Sequence, residues 1–229
     1  MLNTALMMDY LSALARNNDR TWYQEHKKER QEAEGEFLSL VSALMPPLSA
    51  LEPTILDYAP KSLTFKQVRD TRFGNSKLPY NPSFRAHIGP QGKLPIPVGF
   101  YLMLQPGKSF LGGGLFTDMF QQATAKIRDH IAANPDEWEA VITRPDFSRR
   151  FTVEGTSLKN VPKGYDPDHP QARWLKHKSW YLEYQVQDEL ILDAGGFCER
   201  AVDVFTAMAP FNRFLNRALE GFEMPKRPG

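Results

Sequence analysis

The chain has 229 residues, with 28 Lys and Arg against 27 Asp and Glu, for a formal net charge of +1. That length supports a substantial core, and the near-neutral balance supplies no global field that would draw the molecule to nucleic acid or to an anionic membrane. A lone cysteine, Cys198, excludes an intramolecular disulfide and an all-cysteine zinc site and favours the cytoplasm as compartment. No apolar run approaches the length of a membrane span, and the opening residues do not read as a secretory leader.

In chain order, Leu6, Met7, Tyr10, Leu11 and Leu14 recur at helical spacing and predict an amphipathic helix over residues 4–16. Asn18 or Asp19 caps a second helix expected from Arg20 to Met45, and Pro46 and Pro47 are expected to stop it. Its middle, HKKERQEAEGE, is charged all round, while Phe37, Leu40, Val41 and Leu44 return it to the core. Trp22 and Tyr23 read first as aromatic anchors between helices. Pro53 and Pro60 punctuate a connector.

The stretch that follows, FKQVRDTRFGNSKLPY from Phe65 to Tyr80, carries Lys66, Arg69, Asp70, Arg72, Lys77 and Tyr80 among too few apolar residues for ordinary core. Its alternation predicts a strand with Phe65, Gln67 and Arg69 on one face, and Gly74, Asn75 and Ser76 predict a turn. Asp70 is the one acid between Lys61 and Lys93, so that window carries +6, beside −4 in residues 1–60 and −1 in residues 94–229. Such a local surplus suits an anion, because Arg offers a planar fork to carboxylate or phosphate and Lys a point charge. Arg69, Arg72 and Lys77 are expected to converge on a concave site, with Tyr80 beside it and Asp70 orienting an Arg. The competing expectation is a structural ion-pair network on a solvated strand.

The run RDTRFGNSKLPY, with NNDRTWY before it and LGGGL, PKGYDPDHP and PFNRFL after it, resembles the domain of unknown function 2461 family of bacterial and fungal proteins. The order and spacing of these blocks cover nearly the whole chain. The resemblance implies a single α/β-containing domain and places Arg69, Asp70, Arg72, Phe73, Lys77, Pro79 and Tyr80 in the family's central motif; it carries over no activity, catalytic residue or cofactor. Where such proteins often continue PYK, this chain has Asn81 after Tyr80.

Ser83 to Ile88 predicts a short strand, and Pro90, Gly92, Pro95 and Pro97 a loop. Gly99 to Leu104 and Ser109 to Leu115 flank QPGK as a hairpin. Gly112, Gly113 and Gly114 predict a bend or a close approach, with Thr117 capping the next helix. That helix carries Met119, Phe120, Ala123, Ile127, Ile131 and Ala132, and a shorter one runs from Pro135 to Thr143. Phe151 and Val153 read as a small strand, and KNVPKGYDPDHP is a loop in which Lys163 is a lid residue for an anion. His169 in that loop is a candidate base or ligand-binding residue, weighed against an exposed His beside a capping Asp168. Lys178 to Val186 predicts a strand and Asp188 to Leu192 a helical segment. A helix through Phe197, Ala201, Val204, Phe205 and Met208 is expected to be followed by a separate one opening at Pro210, and Cys198 reads as packing.

These elements sum to an α+β single domain over 1–229, with an antiparallel or mixed sheet of about five strands and helices packed on it. It divides into an N-terminal helical pair over about 4–45, a sheet-containing centre over about 61–116, and helices with a late strand over about 117–220. The function expected is binding of a small phosphate- or carboxylate-bearing ligand at the basic strand and turn, with catalysis left open. A structural or interaction scaffold and a weak nucleic-acid binder are the alternatives. No cofactor fingerprint and no metal-ligand spacing is present, so no cofactor and no metal is expected, nor a membrane partner; oligomeric state is left open.

Overall fold

The computed structural model of the protein describes residues 2–69 and 78–225. Helix α1 (Thr4–Arg16) forms as its spacing predicts: the Asn3 side chain accepts the Leu6 N–H, and Met7, Tyr10, Leu11 and Leu14 are buried. The Asp19 carboxylate caps α2 (Arg20–Glu25) by accepting the Trp22 N–H at 2.9 Å. The long helix expected to start there breaks at His26, whose φ and ψ of −95° and 32° leave helical geometry, and α3 (Lys27–Ser49) follows.

Three prolines expected to end or open helices do neither. Helix α3 runs through Pro46 and Pro47, and α10 (Ala194–Ala218) runs through Pro210. An interior proline costs about 3 kcal/mol, because a backbone hydrogen bond is lost. Phe211 and Phe214 directly after Pro210 are both 0% exposed, and burying each contributes about 1.5–3 kcal/mol, which outweighs that cost. Met45 and Leu48, buried beside Pro46 and Pro47, act in the same way at the end of α3.

Between these helices lie a 3-10 turn (Pro53–Asp57) and α4 (Pro60–Leu63), then the sheet. Strands β1 (Phe84–Ile88), β2 (Phe100–Leu104), β3 (Ser109–Leu115) and β4 (Trp180–Val186) pair in the order β1-β2-β3-β4, every pair antiparallel. The α+β class is therefore as expected, with four strands among the described residues and no parallel pair between them. Residues 65–69 pass beside β1 with a bend at Gln67 and do not join the sheet. They are held by single bridges, Thr64 to Ala86 and Val68 to Tyr80, and by the Phe65 N–H donating to the Arg85 carbonyl at 2.9 Å.

The sheet has two unlike faces. Phe84, Ala86, Ile88, Phe100, Leu102, Leu104 and Leu111 point into the core, where α10 lies across β3 and the Phe100 and Phe205 rings meet at 5.0 Å. Strand alternation sends Arg85, Tyr101, Met103, Phe110, Tyr181 and Glu183 to the other face, and these are only half-buried. Gly114 in β3 has φ +89°, and a Cβ there would sit 2.4 Å from the Trp180 carbonyl oxygen, so the expected close approach is made by the neighbouring strand.

After β3, Thr117 takes the Met119 N–H at 3.3 Å, but helix α5 (Gln121–Ala133) starts only at Gln121 and Met119 is 73% exposed. The glycines thus lie within paired β3, away from a helix N-terminus. Helices α6 (Pro135–Thr143), α7 (Pro145–Ser148), α8 (Ala172–Leu175) and α9 (Asp188–Leu192) complete the chain around one contiguous hydrophobic core. Phe151 and Val153 are buried, and Glu154 just beyond them bridges Tyr181.

Candidate anion site

Of the residues nominated from the basic motif, Asp70, Arg72 and Lys77 lie outside the described residues. Arg69 and Tyr80 stand at the two sides of the gap. The Arg69 N–H donates to the Pro79 carbonyl at 2.9 Å, and Val68 bridges Tyr80. Tyr80 is 7% exposed and stacks on Tyr23 with centroids 3.7 Å apart, while its N–H and carbonyl are both held by the Asn18 side chain at 3.1 and 3.0 Å. Tyr80 is therefore a pillar that fixes the base of the motif on α2. Tyr23 belongs to the same stack, which accounts for it as an anchor, and Arg30 lies over its other face at 4.1 Å.

The nominated loop residues sit elsewhere. His169 packs on α5 rather than beside the basic motif. Its Nδ1 accepts the Gln171 N–H at 3.0 Å, so its Nε2–H donates to the Ala132 carbonyl at 3.1 Å. Both ring nitrogens are thereby committed to backbone, and His169 staples the loop instead of being the exposed His weighed against a base. Tyr165 ties the same loop to α5 by donating to Asp129 at 2.7 Å, and Lys163 is exposed two residues before it. Because this loop precedes β4 while the basic stretch borders β1, the two flank opposite edges of the sheet.

What the fold gathers around the basic stretch is a lysine cluster. A cavity of about 310 Å³ lies where α3, the end of α4 and residues 64–67 meet β1, lined by Lys61, Lys66, Lys93, Glu34, Gln67 and Phe65 among others. The strand-like alternation operates here: Gln67 points inward at 4% exposure, while Lys66 and Val68 are exposed. Lys93 donates to the Thr64 carbonyl at 3.4 Å, and Arg85 donates through Nη2 to the Lys66 carbonyl at 3.1 Å, so residues 64–66 are strapped onto β1. Gln67 Oε1 accepts from the Tyr10 hydroxyl at 3.2 Å, but its Nε2 is buried without a hydrogen-bond partner. An unmade buried donor costs about 1–3 kcal/mol.

Electrostatics favour a negative guest. Three lysines and one carboxylate, Glu34, line the cavity; burial raises the Glu34 pKa above the usual range, with Arg30 and Lys61 opposing that rise. The cavity's acid is thus more easily neutralised than an exposed glutamate. Burial similarly pushes the Tyr10 hydroxyl above its usual range, so it stays a neutral donor to Gln67.

A second cavity of about 370 Å³ borders the first at Phe65 and Lys93 and opens on the half-buried face of the sheet. Phe65, Tyr101, Phe110 and Phe116 line it, with His87 at its wall. Tyr101 makes ring contacts with Phe65, Phe110 and Phe116 at centroid distances of 6.3, 5.6 and 5.5 Å. Phe116 folds back over the sheet onto Tyr181 at 4.6 Å, and it fits because Gly112 has no side chain: a Cβ there would lie 2.7 Å from the Phe116 ring. His87 is 7% exposed, its Nε2 accepting the Gly99 N–H at 3.1 Å and its Nδ1–H donating to the Gly92 carbonyl at 3.2 Å.

Lys61, Lys66, Lys93, Glu34 and Gln67 were not nominated from sequence. The three lysines fall inside the +6 window, and that surplus is the one signal that points to them, since their convergence depends on α4 and the 90–97 loop meeting beside β1. Cys198 is half-buried with its thiol pKa raised by burial, which fits packing. Among the described residues no cluster of three or more His, Cys, Asp and Glu side chains is placed to hold a metal ion, and no helix is long and apolar enough to cross a membrane.

A half-covered antiparallel sheet with a basic cavity at its β1 edge defines an α+β protein whose most chemically distinctive feature is a cluster of cations. The chain belongs to the family described as conserved hypothetical protein (DUF2461), whose profile matches residues 6–214. No curated protein and no solved structure matches it.

Proposed function

We propose that this protein binds a small anionic ligand, a phosphate- or carboxylate-bearing metabolite, in the cavity lined by Lys61, Lys66 and Lys93. The observation that carries the reading is the convergence of three lysines from separate parts of the chain on one cavity whose lining holds a single carboxylate, Glu34. Charge-assisted hydrogen bonds are worth about 1.5–3 kcal/mol each, reduced where the cation is exposed, so two or three of them support affinities in the millimolar to micromolar range. Arg69 lies two residues beyond Gln67 and adds a further positive charge to this part of the chain. A cytoplasmic setting, which the lone cysteine favours, supplies ligands of this kind.

Calorimetric titration with pyrophosphate tests the reading. Wild-type protein should bind, and replacing Lys61, Lys66 and Lys93 together by Gln should weaken binding by at least about tenfold while leaving the thermal unfolding midpoint near its original value, because all three are exposed. Equal binding by the wild type and the triple variant would overturn it.

A further inference from the structure

We propose that the ligand is a nucleoside phosphate, its phosphate at Lys61, Lys66 and Lys93 and its base among the aromatic rings on the half-buried sheet face. This rests on the anion reading above and adds the ring seat to it. Two cavities of about 310 and 370 Å³ share Phe65 and Lys93 as lining residues, which sets the lysine cluster and the aromatic rings side by side. Each lies within the size range of small-ligand sites, about 300–1,000 Å³.

The second cavity suits a flat, weakly polar ring. Phe65, Tyr101, Phe110 and Phe116 present aromatic surface, and Phe116 is 37% exposed despite its size. Gly114 adds no side chain to the lining, and Gly112 leaves room for Phe116 to lie over the sheet, so the space between rings is kept open by residue choice in β3. His87 contributes wall but no free ring nitrogen, since Gly92 and Gly99 occupy both. An aliphatic anion would leave this aromatic surface wet, and a neutral aromatic would leave the lysines unused; a base joined to phosphate through a sugar uses both. Stacking on aromatic side chains accepts any base, so the site selects a nucleotide over a sugar phosphate without selecting among bases.

The test compares AMP, adenosine and ribose 5-phosphate by calorimetry on wild type, Phe116→Leu, Phe65→Leu and Lys66→Gln, each checked for a native unfolding transition. AMP should bind at least about fivefold tighter than ribose 5-phosphate; Phe116→Leu should shrink that ratio towards one without moving ribose 5-phosphate affinity, and Phe65→Leu, at a residue that lines both cavities, should weaken AMP more than ribose 5-phosphate. Lys66→Gln should weaken AMP and ribose 5-phosphate alike. If ribose 5-phosphate binds as tightly as AMP, the ring seat is overturned and the anion site stands. If adenosine binds as tightly as AMP, the phosphate assignment is overturned. Absence of binding by all three overturns both, and a single-stranded oligonucleotide binding much tighter than AMP overturns the small-ligand assignment in favour of a nucleic-acid surface. Using two phenylalanine variants keeps the result readable if one of them fails to fold.

Discussion

Acid should destabilise this protein through His87. The ring is 7% exposed, and its Nε2 accepts the Gly99 N–H, so a proton there would place donor against donor and a charge in an apolar surround. Burial accordingly pushes its pKa down to about 4 from an ordinary 6.5, only partly opposed by the bond to the Gly92 carbonyl. A folded-state pKa below the unfolded one means that the unfolded chain takes up the extra proton. The stability carried by the neutral ring is therefore whole above pH 6.5 and is lost as pH falls through the window from 6.5 to 4. The full loss is about 3 kcal/mol, of which about 2.5 kcal/mol has gone by pH 4.5, against a typical total of about 5–15 kcal/mol. His177, brought down to about 4 chiefly by burial and then by Arg173 and Arg128, acts in the same direction. Urea unfolding of wild type and His87→Gln between about pH 7.5 and about pH 4.5 isolates the effect, since other titrating groups are common to both. Wild type should lose about 2.5 kcal/mol more than the variant over that range. A difference that does not change with pH, or an NMR titration placing His87 above 6, would refute the reasoning.

Three further outcomes follow from particular contacts. Asn216 takes the Val98 N–H at 2.7 Å and donates to the Val98 carbonyl at 2.9 Å, so Asn216→Ala should cost about 1–3 kcal/mol in urea unfolding, and a loss near zero would mean that water replaces both bonds. Gly114→Ala should destabilise more than Gly107→Ala in the same assay. Both have positive φ, but a Cβ at 114 meets the Trp180 carbonyl at 2.4 Å while one at 107 meets nothing within 4 Å; the reverse order would contradict the close-approach account. Pyrophosphate should bind more tightly as pH falls towards the raised Glu34 pKa, because protonation removes the cavity's repelling carboxylate, and Glu34→Gln should flatten that dependence; unchanged pH dependence in the variant would detach Glu34 from the site.

Local patterns in the sequence carried most of the elements. Helix α1, the β2–β3 hairpin and α6 follow from spacing, turn residues and proline placement, because each is decided within a few residues of chain. The errors occur where distant packing decides. Pro46, Pro47 and Pro210 sit inside helices because buried neighbours outweigh a lost backbone bond, and residues 65–69 alternate as a strand does yet pair only through single bridges. The site was legible as a charge surplus but not as a place. Lys61 and Lys93 are 32 positions apart in the chain and share a cavity only because α4 and the loop after β1 converge there. His169 looked chemically available since nothing local reveals that Ala132 and Gln171 use both its nitrogens.

The most direct test of the anion site is a crystal structure of the protein soaked with pyrophosphate. The account predicts density for the anion between the Lys61, Lys66 and Lys93 ammonium groups, with the Gln67 amide turned to donate to it. Pyrophosphate bound only at another surface, with that cavity filled by water alone, would contradict it.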